Sequence, residues 1–234
     1  MGKIGHGYGS EWHLLRYLGY HRQYLTNQVL ELTGGQSLTW LDFRFLKPNK
    51  SGKHDGEHIG LSFVKDPQVD ESWRAFWPQS GNSQNWDAVG ILRYQDHDEW
   101  LLVEAKAHLR ELKSSCQATN QNSIEKINTA LSKTINHFCD PSVPVERWLS
   151  PYYQYANRLA ALYFLMKACH PPIPARLLMI YFCSDQRPDA DCPQTSEEWE
   201  PALEEMDAHL DIDPDCELSQ RVHHLFLDVN PNAK

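Results

Sequence analysis

The chain has 234 residues, 41% of them apolar and 23% charged, and carries a net charge of −9. This length suits one large α/β domain or two small ones, and the composition is that of an ordinary water-soluble globular chain. No run approaches the roughly 18 apolar residues of a membrane span, and the segment MGKIGHGYGSEWHLLRYLGYHR has no apolar centre of signal-peptide type; a cytoplasmic protein with no membrane partner is expected.

Ser10 precedes a helical pattern and is read as its N-cap. Trp12, Leu15, Leu18 and Gly19 are expected on one face, and the helix is expected to run from about Glu11 to Leu32 and stop at Gly34-Gly35. Alternation in LTWLDFRFLK predicts a strand over 38–47 with one wetter face. Residues 48–60 are polar and Gly-rich and read as a loop, and 61–64 as a short strand. Residues 66–85 carry Pro, Gly, Asn and Ser around Trp73, Phe76 and Trp77, so about 47–85 is expected to be an irregular insertion. WDAVGILRY (86–94) and WLLVEAK (100–106) read as strands joined through QDHDE, hence a hairpin. Ile124, Ile127, Leu131, Ile135 and Phe138 predict a helix over 123–138, which Pro141 and Pro144 end. A second, buried helix is expected over about 151–169, opening at Pro151. The apolar run ARLLMIYFC (175–183) is a core strand. Ser196 is read as the cap of a helix with Trp199, Leu203, Met206 and Leu210 on one stripe, and RVHHLFLDV (221–229) as the last strand.

These elements predict one α/β domain over 1–234, a mixed central β-sheet flanked by helices. Its charge is uneven. Residues 185–234 hold 14 Asp/Glu against 3 Lys/Arg, a balance of −11, which leaves 17 acidic and 19 basic residues in the rest, a balance of +2. The acidic helix-strand extension at about 185–234 offers a face for a protein partner, while the neutral body leaves nucleic-acid binding open. The six cysteines show no CxxC spacing and are expected to be small buried hydrophobes.

The chemistry concentrates in the hairpin. Glu104 and Lys106 are two apart in a strand and share one face. Asp87 begins the partner strand, so it is expected to meet Glu104 where the hairpin opens. Two carboxylates at one point repel and stay ionised only with a cation between them. With a backbone carbonyl from Ala105 and waters they would make a hard oxygen site suited to Mg²⁺, or to Mn²⁺. The bland alternative is a surface ion-pair cluster at a strand end, but charges in an otherwise apolar strand are costly unless paired or bound.

Asp87, sixteen intervening residues, then Glu104-Ala105-Lys106 resembles the PD-(D/E)XK nuclease superfamily, as does the order helix–strand–strand–ExK strand–helix. The resemblance covers roughly residues 10–182 and implies a restriction-endonuclease-like core. It implies that Asp87, Glu104 and the Ala105 carbonyl hold the metal and that Lys106 orients the attacking water. It also matches Glu11 to an accessory acid on the first helix and Gln154 to a glutamine on the helix after the core. Trp86 stands where proline precedes the motif aspartate. Gln154, Asn157 and Arg158 read either as a polar edge on a buried helix or as contacts to a phosphate or base, and Gln154 and Arg158 are the candidate nucleic-acid contacts; Lys113, Lys126 and Lys133 read as a solvated helix face that could also track a backbone.

The implied activity is metal-dependent phosphodiester hydrolysis of nucleic acid, DNA favoured. Its rival is a non-catalytic protein of the same fold that serves as a binding or interaction module. HDGEH (54–58) lacks the HExxH spacing and reads as a solvated loop, and His223 and His224 fall on opposite faces of a strand. GxSxG, GxxxxGK[ST] and GxGxxG are absent, so neither a serine nucleophile nor an ATP or NAD phosphate loop is expected.

Overall fold

The computed structural model describes residues 7–43, 57–79 and 84–231. Its frame is a five-stranded sheet made of β1 (Ser37–Trp40), β4 (Ala88–Arg93), β5 (Asp98–Lys106), β6 (Ala175–Cys183) and β7 (Val222–Asp228), in that spatial order. The first three form an antiparallel meander; β6 and β7 then add in parallel, so only β4 runs against the rest. Two short strands, β2 (His58–Ile59) and β3 (Asn85–Trp86), pair separately. Helices α1 (Ser10–Gly19) and α2 (Arg22–Thr33) cover one face. The other face carries α3 (Pro67–Phe76), α4 (Gln121–Phe138), α5 (Glu146–Leu149), α6 (Tyr153–Tyr163) and α7 (Ser196–Leu210). The mixed α/β expectation therefore holds. No described helix is long and apolar enough to cross a membrane.

The sheet sits between two cores because β5 and β6 are apolar on both faces. Leu101, Val103 and Ala105 pack with Leu14, Tyr17, Leu25 and Val29 on the α1–α2 side. Leu102, Leu177 and Met179 meet Leu131, Leu159 and Trp199 on the other. Gly90 in β4 permits a close approach of β1: a Cβ there would lie 2.7 Å from Leu38 Cδ1.

Several local expectations are corrected. The first helix is two helices, broken at Tyr20-His21, which lets α2 turn Leu25 and Val29 inward. Its buried stripe is His13, Leu14, Tyr17 and Leu18, while Leu15 faces out. His13 and Tyr17 go inside because their polar tips find partners: His13 Nε2 lies 2.9 Å from Asp185 Oδ1, and the Tyr17 hydroxyl donates to the Asp228 carbonyl at 2.5 Å. Ser10 is not the cap; Gly9 is, and Ser10 Oγ donates to Glu111 instead. β1 ends at Trp40, and 44–47 of the strand expected there lie outside the described residues.

Residues 62–64 form a 3₁₀ turn rather than a strand. The excursion contains a capped helix, α3. The Asp66 side chain accepts from the Gln68 amide at 2.8 Å and Pro67 opens the first turn, while Trp73 stacks on Trp77. Pro151 precedes α6, which starts at Tyr153 and passes into a π turn over Phe164–Ala168. α7 has Thr195, not Ser196, at its N-cap; there Glu198 accepts from the Gln194 amide at 2.7 Å. Most of HDGEH lies outside the described residues.

Candidate active site

β4 and β5 pair with Ala88 opposite Val103, which sets Asp87, just before β4, beside Glu104. The Asp87 amide donates to the Val103 carbonyl at 3.1 Å. Its side chain then continues the ladder, with Oδ2 accepting from the Ala105 amide at 2.7 Å. An aspartate suits this place because the β4 backbone no longer covers the edge of β5, and the amide still needs an acceptor. The N–H and C=O of an extended residue point to one edge, so the Ala105 carbonyl faces the Asp87 side too.

Glu104 and Lys106 project from β5 toward α6, both buried. Lys106 Nζ donates to Glu104 Oε1 at 2.6 Å. Gln154 bridges the pair: its Nε2 donates to Glu104 Oε1 at 2.7 Å and its Oε1 accepts from Lys106 Nζ at 3.0 Å. Arg158, one helical turn on from Gln154, donates through Nε to Glu104 Oε2 at 2.8 Å. Its other nitrogens reach the Asn157 side chain and the Asn85 carbonyl, each at 2.7 Å, and its guanidinium lies 4.9 Å from the Trp86 ring centroid. The start of α6 is pinned where the Gln154 amide donates to Ser114 Oγ at 2.7 Å.

The electrostatics separate the two acids. Burial, then the neighbouring Glu104 charge, push the Asp87 carboxyl up to about 7 despite the Ala105 amide and the cations nearby. Burial acts the same way on Glu104, but Arg158 and Lys106 outweigh it and hold that carboxyl below its ordinary value. Glu104 is thus the permanent anion, and Asp87 takes up or gives away a proton near neutrality.

Asp87, Glu104, Ala105, Lys106, Gln154 and Arg158 are therefore brought together. Glu11 is not bonded to them. It is exposed in the first turn of α1, at the same end of the sheet, where Glu111 accepts from both Ser10 Oγ and the Ala107 amide. Asn157 and the Asn85 carbonyl are further members, since they fix Arg158. Asn157 is legible as a polar position beside Arg158 on the expected helix, whereas the signal for Asn85 is the polar run Gln84-Asn85 immediately before Trp86-Asp87, inside what reads as a loop.

The donor set is all oxygen and suits a hard cation. Among the described residues no group of three or more His, Cys, Asp or Glu side chains could hold a metal. A divalent ion here would take two carboxylates and a carbonyl and fill its shell with water and substrate oxygens, as Mg²⁺ commonly does. It would meet Glu104 with both oxygens already engaged by Lys106, Gln154 and Arg158. The chain matches no family model, no curated protein and no solved structure.

Proposed function

We propose that the protein is a Mg²⁺-dependent phosphodiesterase of the PD-(D/E)XK kind, with a restriction-endonuclease-like core, hydrolysing nucleic acid and DNA in preference to RNA. One observation carries this reading: Asp87 and Glu104 converge from two paired strands, with Lys106 bonded to Glu104 on the same face. The order helix, meander ending in the ExK strand, then helices and a parallel strand supports it. Asp87, Glu104 and the Ala105 carbonyl would hold the ion. When bound, the ion supplies charge to the scissile phosphate and acidity to a water. Lys106, freed from Glu104, orients that water and stabilises charge on the phosphate oxygens. Gln154 and Arg158 bind a phosphate, and Glu11 holds an outer water. The free thiols of all six cysteines suit the cytoplasm.

The arginine on Glu104 favours a second reading, a non-catalytic module in which Arg158 has taken the ion's place. Cleavage assays separate the two. Wild type and Lys106→Ala would be incubated with plasmid, linear duplex, single-stranded DNA and RNA, each with Mg²⁺, Mn²⁺ or EDTA. Metal-dependent cutting lost in the variant supports the enzyme. No cutting by wild type, with no Mn²⁺ heat in calorimetry, supports the module, whose acidic C-terminal region would then face a protein partner.

A further inference from the structure

The two edges of the sheet differ. β1 offers four residues, Ser37–Trp40, at one of them. β7 offers seven at the other, Val222–Asp228, in unbroken parallel register with β6 from Val222 opposite Leu177 to Asp228 opposite Cys183. The Val229 amide donates to the Cys183 carbonyl at 3.0 Å. Backbone direction alternates along a strand, so His223, Leu225 and Leu227 turn their amides to β6, while Val222, His224 and Phe226 turn theirs outward. Among the described residues no group bonds to those outward amides and carbonyls. α2 covers the face that carries Leu225 and Leu227, not the edge. On the opposite face Tyr181 stacks against His224 and Phe226, with ring centroids 5.6 and 5.3 Å away, and both of those side chains are only half-buried.

We propose that β7 pairs with β7 of a second copy of this chain, antiparallel about a two-fold axis at Leu225, so that the two sheets become one. The inference stands apart from the phosphodiesterase reading. A long open edge recruits other chains, and native folds blunt it with lysine, proline, a bulge or a cover. β7 has no lysine, no proline and no bulge, and no described element lies along its edge. Its charges complement themselves. At its start Arg176 and Arg221 share one carboxylate, Glu99, which leaves an excess of positive charge. At its end Asp228 is exposed, and its charge reaches the Cys183 thiol together with those of the exposed Glu197 and Glu198. Antiparallel pairing sets the basic start of each strand beside the acidic end of the other, twice by symmetry. The same register puts His224 opposite Phe226 of the second copy, a cross-strand aromatic pair that extends each Tyr181 stack. Pairing about a two-fold also closes the assembly and leaves only the short β1 edges open. Because the paired strands run in opposite directions, the two Glu104 sites would open at opposite ends of the joined sheet, and neither copy completes the other's site.

The test is sedimentation equilibrium of the full chain, with amide hydrogen exchange read residue by residue. A mass twice the 27.1 kDa of one chain is expected at about 100 µM, with the Val222, His224 and Phe226 amides protected there and exchanging freely once dilution gives the single chain. His224→Pro removes an outward donor and no bond to β6, so it should sediment as one chain. Phe226→Lys, which puts a charge on the edge, should do the same and is the decisive variant if His224→Pro misfolds. Asp228→Lys makes both ends of the strand basic and should associate at least about tenfold more weakly. A single chain at about 100 µM would overturn the proposal. So would a ladder of masses beyond the dimer, which marks β7 pairing with β1 of the next copy, or a dimer whose outward β7 amides exchange freely. Undiminished association in any of the three variants, shown folded by circular dichroism, would overturn it as well.

Discussion

Replacing Arg158 by alanine tests the candidate site directly. In the resting protein Arg158 is almost wholly buried and bonded to Glu104 Oε2 at 2.8 Å. Removing one partner of a buried pair commonly costs about 3–5 kcal/mol. Here Glu104 keeps Lys106 and Gln154, so we expect a smaller loss, about 2–3 kcal/mol, read as a shifted denaturant midpoint. Metal affinity should move the other way. A unit charge about 5 Å from a divalent ion repels it by about 2 kcal/mol at the dielectric of water and about 7 at an effective value near 20. Even the smaller figure predicts Mn²⁺ binding about 10- to 100-fold tighter in Arg158→Ala, measured by calorimetry on protein shown to be folded. Unchanged or weaker Mn²⁺ binding in a folded variant would refute the idea that Arg158 sits where the ion's charge belongs.

Asp87 gives a pH signature. Its folded carboxyl, raised to about 7 from an ordinary 3.8, holds a proton that the unfolded chain has lost, so wild-type stability should fall as pH rises from about 4 to 7 and then level off. Asp87→Asn, which can still accept from the Ala105 amide, should flatten this slope and gain about 2–4 kcal/mol at pH 8 relative to wild type; parallel melting curves against pH would contradict it. Glu99 is buried at the other end of β5 and accepts from Arg176 at 2.5 Å and Arg221 at 2.6 Å. Glu99→Gln should destabilise by about 2–4 kcal/mol, seen as a lower urea midpoint, because two guanidinium groups lose their anion. Asp66→Ala should cost about 1 kcal/mol through the α3 cap, with urea melts as the check.

The sequence made the centre of the fold legible and its margins less so. The run 175–183 matches β6 because a strand buried on both faces writes itself as continuous apolar residues. The 86–106 hairpin was readable because two apolar segments flank a polar turn, and its register followed. The phase of α1 was not readable: the groups that receive His13 Nε2 and the Tyr17 hydroxyl in the interior, Asp185 and the Asp228 carbonyl, lie far along the chain. In α3 the pair Asp66-Pro67 is a local signal, outweighed in the sequence by Gly, Asn and Ser residues that argue for a loop. The site was legible as a constellation, since Asp87, Glu104 and Lys106 stand at the ends of recognisable strands. Its electrostatics were not: Arg158, one turn beyond Gln154, reads equally as a phosphate contact, and only the packing of α6 on β5 shows that its resting partner is Glu104.

That partnership constrains how the proposed enzyme could work. With Asp87 ionised, two acids face two cations, Lys106 and Arg158, and the cluster is neutral at rest. A divalent ion entering alone would leave it at +2 in a buried place, which is unfavourable. A nucleic-acid phosphate entering with the ion offsets half of that charge and gives Arg158 a new partner as it leaves Glu104. Metal and substrate should therefore bind as a coupled pair, each tightening the other by the same factor. Mn²⁺ titrations of wild type should show weak binding alone and at least about tenfold tighter binding with a short duplex present. Arg158→Ala should lose most of that difference, because its cluster, already carrying one negative charge, can accept the ion unaided. Equal coupling in both proteins would mean that the phosphate acts on the ion by some route other than Arg158.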